Sequence, residues 1–340
     1  MKRSGSVLVT GAAGFGGSHL VEHLLEEGEH VVALDHPQAR PEHLVAVRNR
    51  VDYLACDLAC GDAEAVRSAF GGREFGAVYH LAGLASVRRS FGEMRRTLEV
   101  NALASLNLLG ALLRQGKPPR LLLVGSAEQY GTTPAGETGL AEDAVQEPVS
   151  PYALSKVWQE ALGSYYCRTE RWPIFFTRTF NHTGPRQGPD FVCADFARQI
   201  ARIELRLGEP VLRVGNLAAT RDFLDVRDVV AAYRLVLENG AAGSAYNVCS
   251  GRAWSISELL RILLGHAVIK IKVEVEVARH RPVDIPTLHG DPGRLVREMG
   301  WQPSRTMEST LHDLLEYWRE RTAREEASPG EGRDPAAAPR

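Results

Sequence analysis

The sequence predicts an α/β protein: a doubly wound parallel sheet with helices on both faces, and a smaller α/β lobe in its second half. Three observations carry this. Apolar runs at 6–10, 30–35, 51–54, 77–81, 121–125 and 173–178 alternate with helix-like stretches, the pattern of strands joined by crossover helices. A glycine turn separates the first run from an amphipathic stretch. After Asn181 the alternation is lost and Gly and Pro become frequent, as a separate lobe would require.

The first strand, around residues 7–9, ends at Gly11, and an amphipathic run over 19–26 follows. Strand, glycine turn and helix form the context in which a dinucleotide fingerprint has meaning. Gly11 permits the tight turn, Gly14 lets the backbone approach a pyrophosphate, and Gly17 lets helix and strand pack closely, in a GxxGxxG spacing. The pyrophosphate is expected against the unpaired N–H groups of the helix N-terminus. The second strand ends on Asp35, where a carboxylate accepts hydrogen bonds from the adenosine ribose and repels a 2′-phosphate. This favours NAD(H). Arg40, just beyond, works the other way and keeps NADP(H) as the alternative.

Farther on, the stretches 95–113 and 152–168 read as long helices, apolar on one side. Residues 225–238 read as a helix and 245–248 as a strand. Residues 270–277 alternate with period two, which predicts a half-exposed strand. A final amphipathic helix is expected over 307–321. From Thr322 the composition offers little to bury, and 322–340 is expected as a disordered tail. No internal repeat is visible.

Composition excludes several function classes. At 340 residues, 44% of them hydrophobic, the chain has enough core for two lobes. A net charge of −2 lacks the electrostatic footprint of a nucleic-acid binder. No apolar run approaches the roughly 18 residues of a membrane span. The first strand follows the N-terminus so closely that no signal peptide is expected. Five cysteines, an odd number without zinc-type pairs, point to a reducing cytoplasm. Cys56 and Cys60 read as packing residues. His19 and His23 have a metal-ligand spacing but no third ligand nearby, so no metal is expected.

Tyr152 and Lys156 stand four residues apart on a predicted helix, hence on one face, one turn apart. A phenol beside a fixed ammonium is a tuned acid/base, since the cation stabilises the phenolate and lowers its pKa. Alone, the pair is a weak signal. Downstream of a dinucleotide fingerprint it carries weight. Ser126 ends a strand, where open α/β sheets place their ligands.

These motifs together resemble the extended short-chain dehydrogenase/reductases, which act on nucleotide-activated sugars. The resemblance covers nearly the whole chain apart from its last twenty or so residues. It implies a Rossmann-type sheet with Gly11, Gly14, Phe15 and Gly17 at the cofactor, Asp57 and Leu58 near the adenine, and Leu81 and Ala82 in the next cofactor motif, 80–83. Asn101 matches the family's structural asparagine. Ser126, Tyr152 and Lys156 match its catalytic residues: Tyr152 as proton donor or acceptor, Lys156 on the nicotinamide ribose, Ser126 on the sugar oxygen. Residues 178–185 match the segment leading from strand to substrate. Within the family, the second half is most similar to reductases of GDP-4-keto-6-deoxy-mannose, then to GDP-mannose 4,6-dehydratases. The segments 180–192, 214–217, 220–223, 246–251 and 281–284 carry this likeness. It implies a GDP-linked hexose substrate contacted by Asn181, Val192, Arg221 and Arg281, with the two arginines as forked donors to a diphosphate.

The resemblance also implies a homodimer built on the two long helices. It returns 225–238 and 245–248 to the first lobe. The expected division is therefore 1–178 with 217–250 for the dinucleotide, and 179–216 with 251–321 for the sugar nucleotide. Two positions depart from the family pattern: Gly16 replaces an aliphatic residue, and Ala104 replaces a frequent glycine.

The expected reaction is reduction of a 4-keto group. A 4,6-dehydratase is the first alternative, with Glu128 as its extra base. Ala127, where the related dehydratases have serine, has no proton to give and favours the reductase. A non-catalytic dinucleotide sensor is the second alternative, and it has no need of Tyr152 and Lys156.

Overall fold

The computed structural model describes residues 5–279 and 285–327. In chain order the first part forms β1 (Ser6–Thr10), α1 (Phe15–Glu26), β2 (Val31–Asp35), β3 (Asp52–Ala55), α2 (Ala63–Ala69), β4 (Phe75–His80), α3 (Val87–Gly92), α4 (Met94–Leu98), α5 (Ala104–Leu113), β5 (Arg120–Ser126), α6 (Pro151–Thr169) and β6 (Ile174–Thr179). The second part forms β7 (Asn181–Thr183), α7 (Val192–Glu204), β8 (Val211–Val214), β9 (Thr220–Asp225), α8 (Val226–Asn239), β10 (Ala245–Val248) and β11 (Ala253–Ser255). It ends with α9 (Ile256–Gly265), β12 (Lys272–Val275), β13 (Thr287–Leu288), α10 (Gly293–Met299) and α11 (Met307–Ala327). The strands expected before residue 180 all form, with ends displaced by no more than two residues.

Two compact units emerge. The first comprises Met1–His182, Thr220–Ala253 and Ile285–Ser304; the second comprises Thr183–Ala219, Trp254–Asp284 and Arg305–Arg340. Residues 285–304, placed in the smaller lobe by the expected division, belong to the first unit. The reason is packing: β13 pairs in parallel with β9, and Leu295 and Trp301 are buried in a core shared with α1 and α8.

In the first unit the main sheet has the order β10-β6-β5-β4-β1-β2-β3. Every neighbouring pair in it is parallel. β1 lies between β2 and β4, so the winding reverses there and leaves a crevice outside the strands' carboxyl ends. Alternation along β1 serves two cores. Val7 and Val9 pack with Leu20 and Val21 of α1 and Val229 of α8, while Leu8 packs with Val66 of α2 and Leu108 of α5.

The helix expected over 95–113 is interrupted. Between α4 and α5 the backbone makes a π-helical turn, Glu99–Leu103, with buried Asn101 inside it. Such turns insert a residue and re-aim a side chain, often at functional sites. Here the Asn101 amide donates to Leu84 O at 3.1 Å and Ser155 Oγ at 2.9 Å, and accepts from Leu84 N at 2.7 Å.

The second unit is led by α7, α9 and α11. Arg319 of α11 grips Glu204 of α7 with two bonds of 2.7 Å and also donates to His266 O at 2.9 Å. β12 pairs in parallel with β8, as a strand shorter than the expected 270–277. Residues 322–327, expected in the tail, belong to α11. Thr322 is buried and α11 runs to Ala327, so the apolar stripe of α11 extends one turn past Trp318. Residues 328–340 lie outside the described residues.

A Cβ on Gly17 would lie 2.0 Å from Gly11 O, a backbone atom that cannot yield cheaply. Gly17→Ala is therefore expected to destabilise the first unit by about 1–3 kcal/mol or more and to abolish dinucleotide binding. Thermal unfolding and a cofactor titration check this; wild-type values in both would contradict the close packing.

Candidate active site

Ser150 caps α6, its Oγ accepting from Ala153 N at 3.1 Å, and Pro151 occupies the first helical position. Tyr152 and Lys156 therefore start a rigid helix. Ser126 ends β5 and is itself a cap: its Oγ accepts from Glu128 N at 3.2 Å, while Gln129 Oε1 accepts from Ser126 N at 2.8 Å. Ser126 acts on the Tyr152 phenol and favours its ionised form.

Electrostatics corrects one expectation. Lys156 is expected to lower the Tyr152 pKa. Instead burial pushes the phenol up to about 12, with the Glu128 charge adding to it and Ser126 opposing it. The ammonium is held elsewhere: Lys156 Nζ donates to Val124 O at 2.8 Å and Gln159 Oε1 at 3.0 Å. Two of its three N–H groups are thus committed to protein. Burial pulls Lys156 down to about 8. The phenol is a protonated acid in this arrangement, and desolvation outweighs the effect of Ser126.

Beneath Ser126 lies a polar network that the sequence reading missed. Gln129 Nε2 donates to Glu160 Oε2 at 2.8 Å and Gln146 Oε1 at 3.1 Å. Arg178 binds Glu160 in a fork, at 3.0 and 2.6 Å, and reaches Tyr130 Oη at 3.0 Å. Glu128 is half-buried, with its charge acting on Tyr152, and Ala127 is buried. The structure therefore brings Ser126, Glu128, Tyr152 and Lys156 together. Gln159, one turn beyond Lys156 on the same face, could have been found from its i, i+3 spacing. Its amide Nε2 is buried with no partner among the described residues.

The glycine loop is a cradle with no room for side chains. Gly11 has φ of +69°, and a Cβ there would lie 2.8 Å from the Ala82 backbone. Gly14 is the N-cap of α1, whose first N–H groups have no helical partners. Phe15 stacks on His182 at 5.6 Å and meets His19 edge-on at 5.8 Å. At Gly16 an added Cβ would meet only Leu81 Cδ2, at 3.6 Å, so the missing aliphatic contact is one with Leu81. Asp35 Oδ2 accepts from Ala13 N and Oδ1 from His36 N, both at 2.8 Å, which fixes the carboxylate at the end of β2. Asp57 Oδ1 accepts from Ala59 N at 2.9 Å, and Leu58 is buried. Leu81 N and Ala82 N donate to Thr10 O and Thr10 Oγ1, each at 3.2 Å. These features fit a dinucleotide: a close-approach backbone, an anion-binding helix end and a carboxylate for ribose.

The substrate candidates are less unified. Asn181 opens β7 half-buried, and Val192 opens α7 in the second unit. Arg221 is buried in β9 and donates to Thr220 O at 2.8 Å. Arg281 lies outside the described residues. Among the described residues no group of three His, Cys, Asp or Glu gathers as a metal site, and no helix is long and apolar enough to cross a membrane.

A family model described as GDP-mannose 4,6 dehydratase matches residues 8–314. GDP-6-deoxy-D-mannose reductase of Pseudomonas aeruginosa is 36% identical over 319 residues, covering 94% of this chain and 99% of that protein. GDP-mannose 4,6 dehydratase 1 of Arabidopsis thaliana is 29% identical, covering 94% of this chain and 91% of its own. Among solved structures, RMD from Pseudomonas aeruginosa complexed with NADPH superposes with a TM-score of 0.81 at 33% identity, covering 94% of this chain and all of that one.

Lys156 provides a test of the site's electrostatics. Its folded pKa lies below the unfolded value, so at neutral pH the burial penalty is fully present, on the order of 3 kcal/mol at about 1.4 kcal/mol per pKa unit. Between about pH 8 and 10.5 the folded state releases the proton first, and stability rises relative to a chain lacking the group. Lys156→Met is expected to be more stable than wild type at pH 7, with the gap shrinking by pH 9.5. Denaturant midpoints at both pH values check this; a gap that widens would show the opposite shift.

Proposed function

The chain belongs to the GDP-mannose 4,6 dehydratase family of the extended short-chain dehydrogenase/reductases, and from that membership we propose that it reduces the 4-keto group of a GDP-4-keto-6-deoxyhexose. The observation that carries the reading is the buried, protonated Tyr152 phenol, on which Ser126 acts. A group of that kind gives a proton to a ketone oxygen as negative charge builds on it. NAD(P)H, when bound, supplies the hydride. Gly11, Gly14, Gly17 and the N-terminus of α1 would hold its pyrophosphate, and Asp35 its adenosine ribose. Ser126 Oγ orients the sugar oxygen toward Tyr152. The third N–H of Lys156 is the one positioned to hold a ribose hydroxyl, since Val124 O and Gln159 Oε1 take the other two.

Asp35 favours NADH over NADPH by its negative charge, although a similar structure carries NADPH. A cytoplasmic setting suits the five cysteines, all of which have free thiols. We also propose a homodimer. Met94, Leu103 and Leu106, along α4, the π turn and α5, and Leu154, Trp158 and Tyr165 on α6 are exposed apolar side chains on the two helical segments named above. Large apolar side chains gathered on adjacent helices mark an interaction surface.

The dehydratase reading is supported by Glu128, whose charge acts on Tyr152, and by the description of the matching family model. Incubation separates the two. With GDP-4-keto-6-deoxy-mannose, NADH or NADPH oxidation is expected to match product mole for mole, with the larger kcat/KM for NADH. GDP-mannose without reductant is expected to remain unchanged. Tyr152→Phe should lower turnover by roughly 100- to 10,000-fold while cofactor affinity holds. Release of a 4-keto-6-deoxy sugar from GDP-mannose alone would hand the protein to the lyases. The dimer is tested by sedimentation: wild type at twice the 37.3 kDa chain mass, and Trp158→Glu shifted to the monomer. A wild-type monomer at micromolar concentration would exclude it.

A further inference from the structure

We propose that His80 is a positioning residue, locked as the neutral Nε2–H tautomer, that sets the turn after β4 against the helix face carrying Tyr152 and Lys156. The protons along one hydrogen-bond chain fix this tautomer. Ser105 Oγ donates to Asn101 O at 2.6 Å. A hydroxyl has a single proton, so toward His80 Nε2, 2.9 Å away, Ser105 Oγ accepts. Nε2 therefore carries hydrogen. On the other side, Thr10 Oγ1 accepts from Ala82 N at 3.2 Å and lies 2.8 Å from His80 Nδ1. With Nδ1 unprotonated, the Thr10 hydroxyl donates to it and every group is satisfied. The opposite tautomer would set two lone pairs against each other at Ser105. The imidazolium would leave the Thr10 proton without an acceptor. The ring is fully buried, its neighbouring cation is Lys156, and burial with that charge pulls its pKa to about 3.

The chain of bonds has a direction and two anchored ends. One end is the cofactor turn: Ala82 N, and with it the Leu81–Gly83 backbone that abuts Gly11. The other is the π turn, where Asn101 passes the connection to Ser155 Oγ, which donates to Tyr152 O at 2.7 Å. The spacing is tight. A Cβ on Gly83 would lie 2.9 Å from Asn101 Oδ1 and 3.9 Å from Lys156 Nζ. Replacing His80 thus removes the tie through Thr10 and Ser105 and leaves the Asn101–Leu84 bonds as the remaining link between the cofactor turn and α6. The proposal concerns tautomer and placement, and its spectroscopic arm does not depend on the identity of the sugar.

Two measurements test it. Long-range nitrogen–proton NMR on histidine-labelled protein, with the His80 ring assigned by its loss in His80→Gln, should show Nε2–H and no titration from pH 5.5 to 8.5. An Nδ1–H ring, or one that titrates in this range, overturns the proposal whatever the activity of the variants. In the NAD(P)H-dependent assay, His80→Phe keeps a ring but removes both bonds, and is expected to raise cofactor KM and lower kcat, each by tenfold or more. His80→Gln, whose amide can replace the Nε2–H donor to Ser105, should recover part of kcat, and Ser105→Ala should match the loss of that single bond. His80→Phe with wild-type kcat and KM, or His80→Gln no better than His80→Phe, would refute the positioning role. If no variant or wild type reduces the keto sugar, the function reading fails, while the tautomer result stands by itself.

Discussion

A buried ammonium cannot be left unsatisfied, and the first unit is organised around satisfying this one. Lys156 lies on α6 with its charge inside the protein, where desolvation costs several kcal/mol. Val124 O, near the end of β5, and Gln159 Oε1, one turn along α6, are the acceptors. The Val124 bond therefore sets the rotation and height of α6 against the sheet. Once α6 is set, Tyr152 arrives at Ser126, because Ser126 sits two residues beyond Val124 on the same strand. The geometry of the proposed site follows from a solvation requirement.

The same logic supports the serine. The turn that carries Ser126 is capped by Gln129, and Gln129 is held by Glu160, again on α6. Arg178 of β6, itself buried, closes the arrangement with a forked pair to the half-buried Glu160. Removing one partner of such a pair typically costs about 3–5 kcal/mol, because the other charge stays behind. A surface pair such as Arg67–Glu64 contributes far less, since water screens both partners. This network thus fixes β5, β6 and α6 to one another.

On the cofactor side the tie is neutral. Thr10, His80, Ser105, Asn101 and Ser155 pass hydrogen bonds from the end of β1 through β4 and the π turn to α6. No charge has to be desolvated, and each polar group in the chain has a partner, so the low dielectric strengthens the bonds rather than penalising them. The π turn is what makes the last step possible. An uninterrupted α-helix over Glu99–Leu103 would rotate Asn101 away from Ser155 by a large fraction of a turn.

Much of this protein could be read from its sequence. Strand positions followed from short apolar runs, the glycine loop from its spacing, and the Tyr152–Lys156 face from helical periodicity, because all three are local patterns within one or two turns of chain. The parts that could not be read depend on residues far apart. Whether Lys156 lowers the Tyr152 pKa depends on which acceptors the fold brings to Nζ, and the fold brings a carbonyl from β5 and an amide that draw it aside. Burial, a property of the whole packed unit, then raises the phenol. The place of 285–304 depends on β13 finding β9, and the end of α11 on a contact at Thr322. The residue types and their periodicity come from the sequence by itself; the protonation states and the partners of each polar group were decided only when tertiary packing chose what surrounds them.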